Sequence, residues 1–167
     1  MRCTTILLVF TVASIPGVSL AQVDPAELLR NGRVPFAGVL TGGQPTEEQL
    51  ETLAGLGYKT VINVRGTDEQ GSTDPAAVES LGMAYVSIPI AGAGAVNEQN
   101  ARRLADILAD NDHPVVVHCA SGNRVGALFA LMAYYVDGKT PEEALAIGRA
   151  AGVTRLEPVV KEILGLE

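Results

Sequence analysis

Short β-branched runs alternate with stretches of helical periodicity along this chain, and that alternation limits the available folds more than any other feature. Residues 59–64 read Lys-Thr-Val-Ile-Asn-Val, residues 84–90 form a second extended run, and residues 114–118 read Pro-Val-Val-Val-His. Gly38 to Leu40 suggests a short first strand, and Ala26 to Arg30 a short helical turn. A helix starts after Gln44-Pro45, where Thr46 can cap and Glu47 and Glu48 suit the positive end. Leu50, Leu53, Ala54 and Leu56 make its apolar stripe, and Gly57 stops it. Helical patterns recur over 74–81, 97–109, 125–136, 141–150 and 156–164. Apolar strands separated by helices predict an α/β fold: a short, mainly parallel central sheet with helices on both faces.

The N-terminus is read apart from that fold. Met1 and Arg2 make a basic start, residues 6–12 are almost wholly apolar, and Ser19-Leu20-Ala21 has the small residues a secretory peptidase needs. The apolar run is shorter than the roughly 20 residues of a membrane span. Residues 1–21 are therefore expected to be a cleaved leader rather than an anchor. Residues 22–167 are then a single secreted or periplasmic domain with no stable membrane insertion. Losing Arg2 takes the net charge from −7 to −8, and no Lys/Arg run exists, so binding along a nucleic-acid backbone is not expected. Cys3 leaves with the leader, and Cys119 is then the one cysteine of the mature chain. It has no internal disulfide partner, so it is either an inert core thiol or a reactive one.

Its neighbours favour reactivity. In Val115-Val116-Val117-His118-Cys119-Ala120-Ser121-Gly122-Asn123-Arg124-Val125-Gly126, a buried strand runs through a tight loop straight into a helix. Such a loop aims successive backbone N–H groups at one point beside the positive helix end and so binds an anion. Gly122 permits the backbone angles this needs. Arg124 adds a planar fork that matches two oxygens of a tetrahedral anion. Cys119 lies at the foot of this cradle, where the same donors favour the thiolate nucleophile. Strand alternation turns His118 away from the anion, which suits a supporting role. Ser121 and Asn123 offer hydrogen bonds within the loop.

His-Cys, Gly122 and Arg124 between an apolar strand and a helix resemble the signature loop of protein tyrosine and dual-specificity phosphatases. With Gly43-Gln44-Pro45-Thr46 and Leu56-Gly57-Tyr58-Lys59-Thr60-Val61-Ile62-Asn63-Val64-Arg65, the chain resembles the beta-lactamase-hydrolase-like, phosphatase-like domain family over about residues 35–165. The resemblance implies a protein tyrosine phosphatase-like fold and hydrolysis of a phosphomonoester through a phosphocysteine at Cys119. Arg124 would then be the phosphate clamp, and the backbone of Ala120, Ser121, Gly122, Asn123 and Arg124 the cradle. It implies no cofactor and no metal, and a partner that is a phosphorylated small molecule or protein side chain.

The chain departs from the phosphatase pattern in three places. Four residues separate Cys119 from Arg124, against five in the phosphatase signature. The shorter count is shared by rhodanese-type sulfurtransferases, which makes sulfur transfer through a Cys119 persulfide the rival reaction. It is shared too by the phosphatase-like family that the chain resembles, which keeps phosphate-ester hydrolysis as the first reading. The segment after Pro89, Ile90-Ala91-Gly92-Ala93-Gly94-Ala95, lacks the Asp that those phosphatases use as general acid, leaving Asp68 and Glu98 as possible substitutes. Val125 stands where many phosphatases place Ser or Thr. A non-catalytic phosphate or sulfate reader is the third reading.

Other features are weaker. Arg65, at the carboxyl end of its strand, is either a substrate-binding residue or a solvated charge. Residues 92–97 read as a flexible lid rather than a dinucleotide loop, because the third Gly is missing. His113, His118 and Cys119 do not have recognisable metal-ligand spacing. Tyr134 and Tyr135 read as packing residues.

Overall fold

The β-branched runs form the middle of a five-stranded sheet in the computed structural model, which describes residues 23–69 and 73–167. The expected leader, with Cys3, lies outside the described residues. In chain order the elements are α1 (Pro25–Leu28), β1 (Arg33–Phe36), β2 (Val39–Gly42), α2 (Glu47–Gly55), β3 (Thr60–Arg65), α3 (Pro75–Ser80) and β4 (Ala84–Ile90). A 3-10 turn (Ala93–Ala95) precedes α4 (Glu98–Asp110), β5 (Val115–His118), α5 (Asn123–Tyr135), α6 (Pro141–Ala150) and α7 (Glu157–Leu164). The sheet order is β1-β2-β5-β3-β4. β2, β5, β3 and β4 pair in parallel, while β1 pairs antiparallel with β2.

β1 is an addition to the sequence reading. Gly38, at φ 75°, helps turn the chain back between β1 and β2. Pro35 sits in this strand, and a residue with no N–H to give is tolerated at a sheet edge.

The helices start where their caps direct. Thr46 accepts from the Gln49 amide at 3.2 Å while the Gln49 side chain accepts from the Thr46 amide at 2.9 Å, and Thr140 and Glu143 repeat the arrangement on α6. Asp74 and Asn97 cap α3 and α4 through their side-chain oxygens.

Strand alternation divides the core in two. Ile62, Val64, Val115 and Val117 pack with residues of α4, α5, α6 and α7, whereas Leu40, Val61 and Val116 pack with Leu29, Leu50, Leu53 and Val78. Helices therefore cover both faces. α5 is buried along almost its entire length and packs against α4, α6 and α7. Two glycines set how closely α6 and the α6–α7 connection approach it. A Cβ on Gly126 would fall 2.0 Å from the Val153 amide nitrogen, and one on Gly148 would fall 2.6 Å from the Ala130 Cβ. β5 occupies the sheet's centre, and its carboxyl end delivers the chain into α5 through residues 119–122.

Candidate active site

The loop grows out of the β2–β5 pairing. Gly42 lies opposite His118, and the Cys119 amide donates to the Gly42 carbonyl at 3.2 Å, one step beyond the strand. The chain then turns through Gly122, whose φ of 84° is left-handed and whose Cβ, if it had one, would lie 3.4 Å from the Gly42 Cα. That turn folds the Gly122 amide back so that it donates to Cys119 Sγ at 3.1 Å. Cys119 is only 1% exposed and sits beneath the start of a well-buried helix. The arrangement gives the sulfur a backbone donor and places it at the first turn of α5.

Arg124 lies one residue inside α5 and is held on one edge. Its Nη2 donates to Glu69 Oε2 at 2.8 Å, Nη1 donates to Glu69 Oε1, and Nη1 also donates to the Ile90 carbonyl at 2.8 Å. These bonds use the end formed by the two terminal nitrogens and leave the edge between Nε and Nη2 for two oxygens of a further anion. Glu69 raises the Arg124 pKa most, and nearby Cys119 adds to the rise. Glu69 also accepts from Arg65 Nε at 3.1 Å and from the Gly66 amide at 2.8 Å. Its carboxyl is held down at about 2, chiefly by its hydrogen bond to Arg124; partial burial opposes this, while Gly66 and Arg65 add to the lowering. One carboxylate thus serves two arginines and leaves the group with a net positive charge.

Glu69 is the residue that sequence reading missed. Its partner lies 55 positions further along the chain. The available signal was local: Arg65 ends an apolar strand, and Glu69 follows it by four residues at the sheet end where ligands bind. The sequence leaves Arg65 open between substrate contact and solvated charge; its side chain is only 11% exposed and is engaged with Glu69.

His118 and Asn123 brace the loop from outside. His118 is fully buried, with Nε2 3.3 Å from Thr73 Oγ1. Burial lowers its pKa to about 4, the charge on Arg65 adds to this, and the Cys119 backbone opposes it, so the imidazole is neutral at neutral pH. Asn123, expected to bond within the loop, instead turns outward. Its Oδ1 accepts from the Thr154 amide and hydroxyl and from the Leu156 amide at 2.9–3.2 Å, fastening the loop to the α6–α7 connection. The Ser121 carbonyl accepts from Asn31 Nδ2 at 3.2 Å, fastening it to the segment before β1. Ala120 is exposed.

The segment that lacks the expected Asp lies beside this group, since Ile90 at its start accepts from Arg124. It continues through Gly92, at φ 78°, into the 3-10 turn, with no carboxylate from Ile90 to Ala95. Glu98 heads α4 and pairs there with Arg102 at 2.8 Å, with about half of its side chain exposed. Asp68 is exposed.

Comparison with known proteins gives a consistent result. The profile of the family described as DSP-PTPase phosphatase fused to NAD+ kinase matches residues 27–157. A beta-lactamase hydrolase-like protein of Xylella fastidiosa is 31% identical over 116 residues, which are 66% of this chain and 26% of that protein. The chain thus spans about a quarter of the length of that relative. Among solved structures, a candidate phosphatase from Neisseria meningitidis superposes with a TM-score of 0.64 at 20% identity, covering 78% of this chain and 96% of the other. A cysteine-to-serine form of P. aeruginosa TpbA, in complex with phosphotyrosine, gives 0.50 at 21% identity and covers 86% and 93%.

Proposed function

The chain belongs to the family of DSP-PTPase phosphatase domains described as fused to NAD+ kinase, and from that premise we propose that it hydrolyses a phosphomonoester through a phosphocysteine at Cys119. The observation that carries this reading is the meeting of Cys119 Sγ, the Gly122 amide and an Arg124 whose end is already clamped by Glu69. In the first step the thiolate attacks phosphorus, the S–P bond forms and the ester P–O bond breaks. The departing oxygen takes its proton from water, because residues 90–95 offer no acid. In the second step water attacks phosphorus, the S–P bond breaks, and thiolate and inorganic phosphate are released. Arg124 holds two phosphoryl oxygens throughout by its unused edge, and the loop amides from Ala120 to Arg124 hold the remainder. TpbA's complex with phosphotyrosine supports a phosphorylated ligand for this fold. With residues 1–21 as an export leader, the reaction takes place in the periplasm or outside the cell; the N-terminal sequence of protein from fractionated cells tests this.

One observation favours a second reading. The four-residue interval between Cys119 and Arg124 is one that sulfurtransferases share. There the thiolate would attack the outer sulfur of thiosulfate, sulfite would leave, and the persulfide would pass its sulfur to an acceptor thiol. Purified protein given nitrophenyl phosphate, and separately thiosulfate with a thiol acceptor, decides between them. Phosphate release abolished by Cys119→Ser supports the first; sulfite release without phosphate release overturns it.

A further inference from the structure

Arg33, Arg65, Arg102, Arg103, Arg124 and Arg149 each donate to a carboxylate or a carbonyl. Arg30 and Arg155, alone among the described arginines, have no side-chain hydrogen bond or ion pair, and both are exposed. The chain has 19 acidic against 12 basic side chains, so two unpaired arginines are not the by-product of a basic surface.

Both flank the anion loop. Arg30 precedes Asn31, which holds the Ser121 carbonyl, and the Arg30 carbonyl accepts from the Gly43 amide at 2.8 Å. The point where a Gly43 Cβ would stand is 3.1 Å from the Arg30 Cβ and 3.2 Å from the Ala120 carbonyl oxygen, so the Arg30 side chain starts close beside the loop. On the other flank, Arg155 stands between Thr154 and Leu156, whose amides both donate to Asn123 Oδ1. A Cβ at Gly152, in the same connection, would lie 3.6 Å from the Gly122 carbonyl oxygen. The loop therefore runs between two connections that it is hydrogen-bonded to, and each contributes one unpaired guanidinium. The side toward α2 and α3 adds nothing to this, because the cleft there of about 260 Å³ has Glu47 and Asp74 in its lining.

We propose that Arg30 and Arg155 form a rim that binds further anionic groups of a ligand whose first phosphate sits in the Cys119 loop, making the preferred ligand a multiply phosphorylated small molecule. This rests on the phosphate reading of the loop. Guanidinium groups bind phosphate in fork geometry and remain charged at every physiological pH. Exposed charges are screened by salt, so the contribution of the rim falls as ionic strength rises.

Titration calorimetry on the native chain, near 0.15 M salt, tests this without requiring turnover. Inositol hexakisphosphate should bind at least about tenfold more tightly than inorganic phosphate. The Arg30→Ala/Arg155→Ala variant should lose most of that advantage while keeping its phosphate affinity. Arg102→Ala/Arg103→Ala, which removes the same charge from α4, should keep the advantage, and Arg124→Ala should abolish both. Equal affinities in wild type, no binding of either probe, or an advantage that survives removal of the rim but not of the α4 pair overturns the proposal. Nitrophenyl phosphate hydrolysis is measured in parallel. Absent hydrolysis with an intact rim effect would remove the phosphatase reading and leave the rim standing.

Discussion

Arg124 has two edges for hydrogen bonding, and Glu69 takes only one of them. Replacing Arg124 by Lys preserves charge but offers neither edge; turnover of nitrophenyl phosphate is expected to fall at least about tenfold, and wild-type behaviour would refute the clamp. Glu69→Gln keeps the size of the side chain while removing the charge that fixes Arg124. If Glu69 positions Arg124, phosphate should bind more weakly and kcat/KM should fall by roughly ten- to a hundredfold. If Glu69 instead competes with the anion, Glu69→Gln would bind phosphate more tightly, and the sign of the change separates the two. A positioned acid contributes about 10²- to 10⁴-fold, so its absence from residues 90–95 should make turnover depend steeply on leaving-group pKa. A flat dependence across graded aryl phosphates that turns steep in Glu98→Gln or Asp68→Asn would identify a hidden acid.

At the scale of elements, tight tolerances lie between α5 and the next stretch of chain, α6 with its connection to α7. A methyl on Gly126 would meet backbone at 2.0 Å and one on Gly148 would meet the rigid Ala130 methyl at 2.6 Å. Alanine favours a helix over glycine by about 1 kcal/mol, yet overpacking here should exceed that gain, and each variant should lose about 1–3 kcal/mol in urea denaturation. Gly94→Ala, which meets nothing within 4 Å, should stay close to wild type. Elements of this kind were the legible part of the sequence. Residues 84–90 and 141–150 read to their ends because alternation and a Thr-Pro start are local signals. β1 escaped because Pro35 and an exposed pattern mask a strand that pairs with β2 at the end of the sheet. The loop was legible because its cysteine, glycine and arginine lie together in one short segment. Glu69 and the outward turn of Asn123 were not, since each depends on a partner that only the folded chain brings near.

For the molecule as a whole, two groups should shape acid stability. His118 is held neutral by burial at a pKa of about 4, against an ordinary 6.5. The unfolded chain therefore takes up a proton first, and stability should fall as pH drops from 6.5 toward 4. Glu69 acts lower: its contribution is complete above the ordinary 4.5 and is lost as pH falls toward 2. Denaturation followed from pH 7 to 2 should show the first slope reduced in His118→Gln and the second in Glu69→Gln; unchanged slopes would refute the assignments. The place of β5 between β2 and β3 has one more consequence, this time for solvent exchange. Every step outward from the sheet's middle has a neighbour to shed before β5 does. Deuterium should therefore enter its amides last, through opening of the entire fold rather than local fraying. Cys119 comes directly after that strand, so activity in rising denaturant should persist until the global transition and vanish with it.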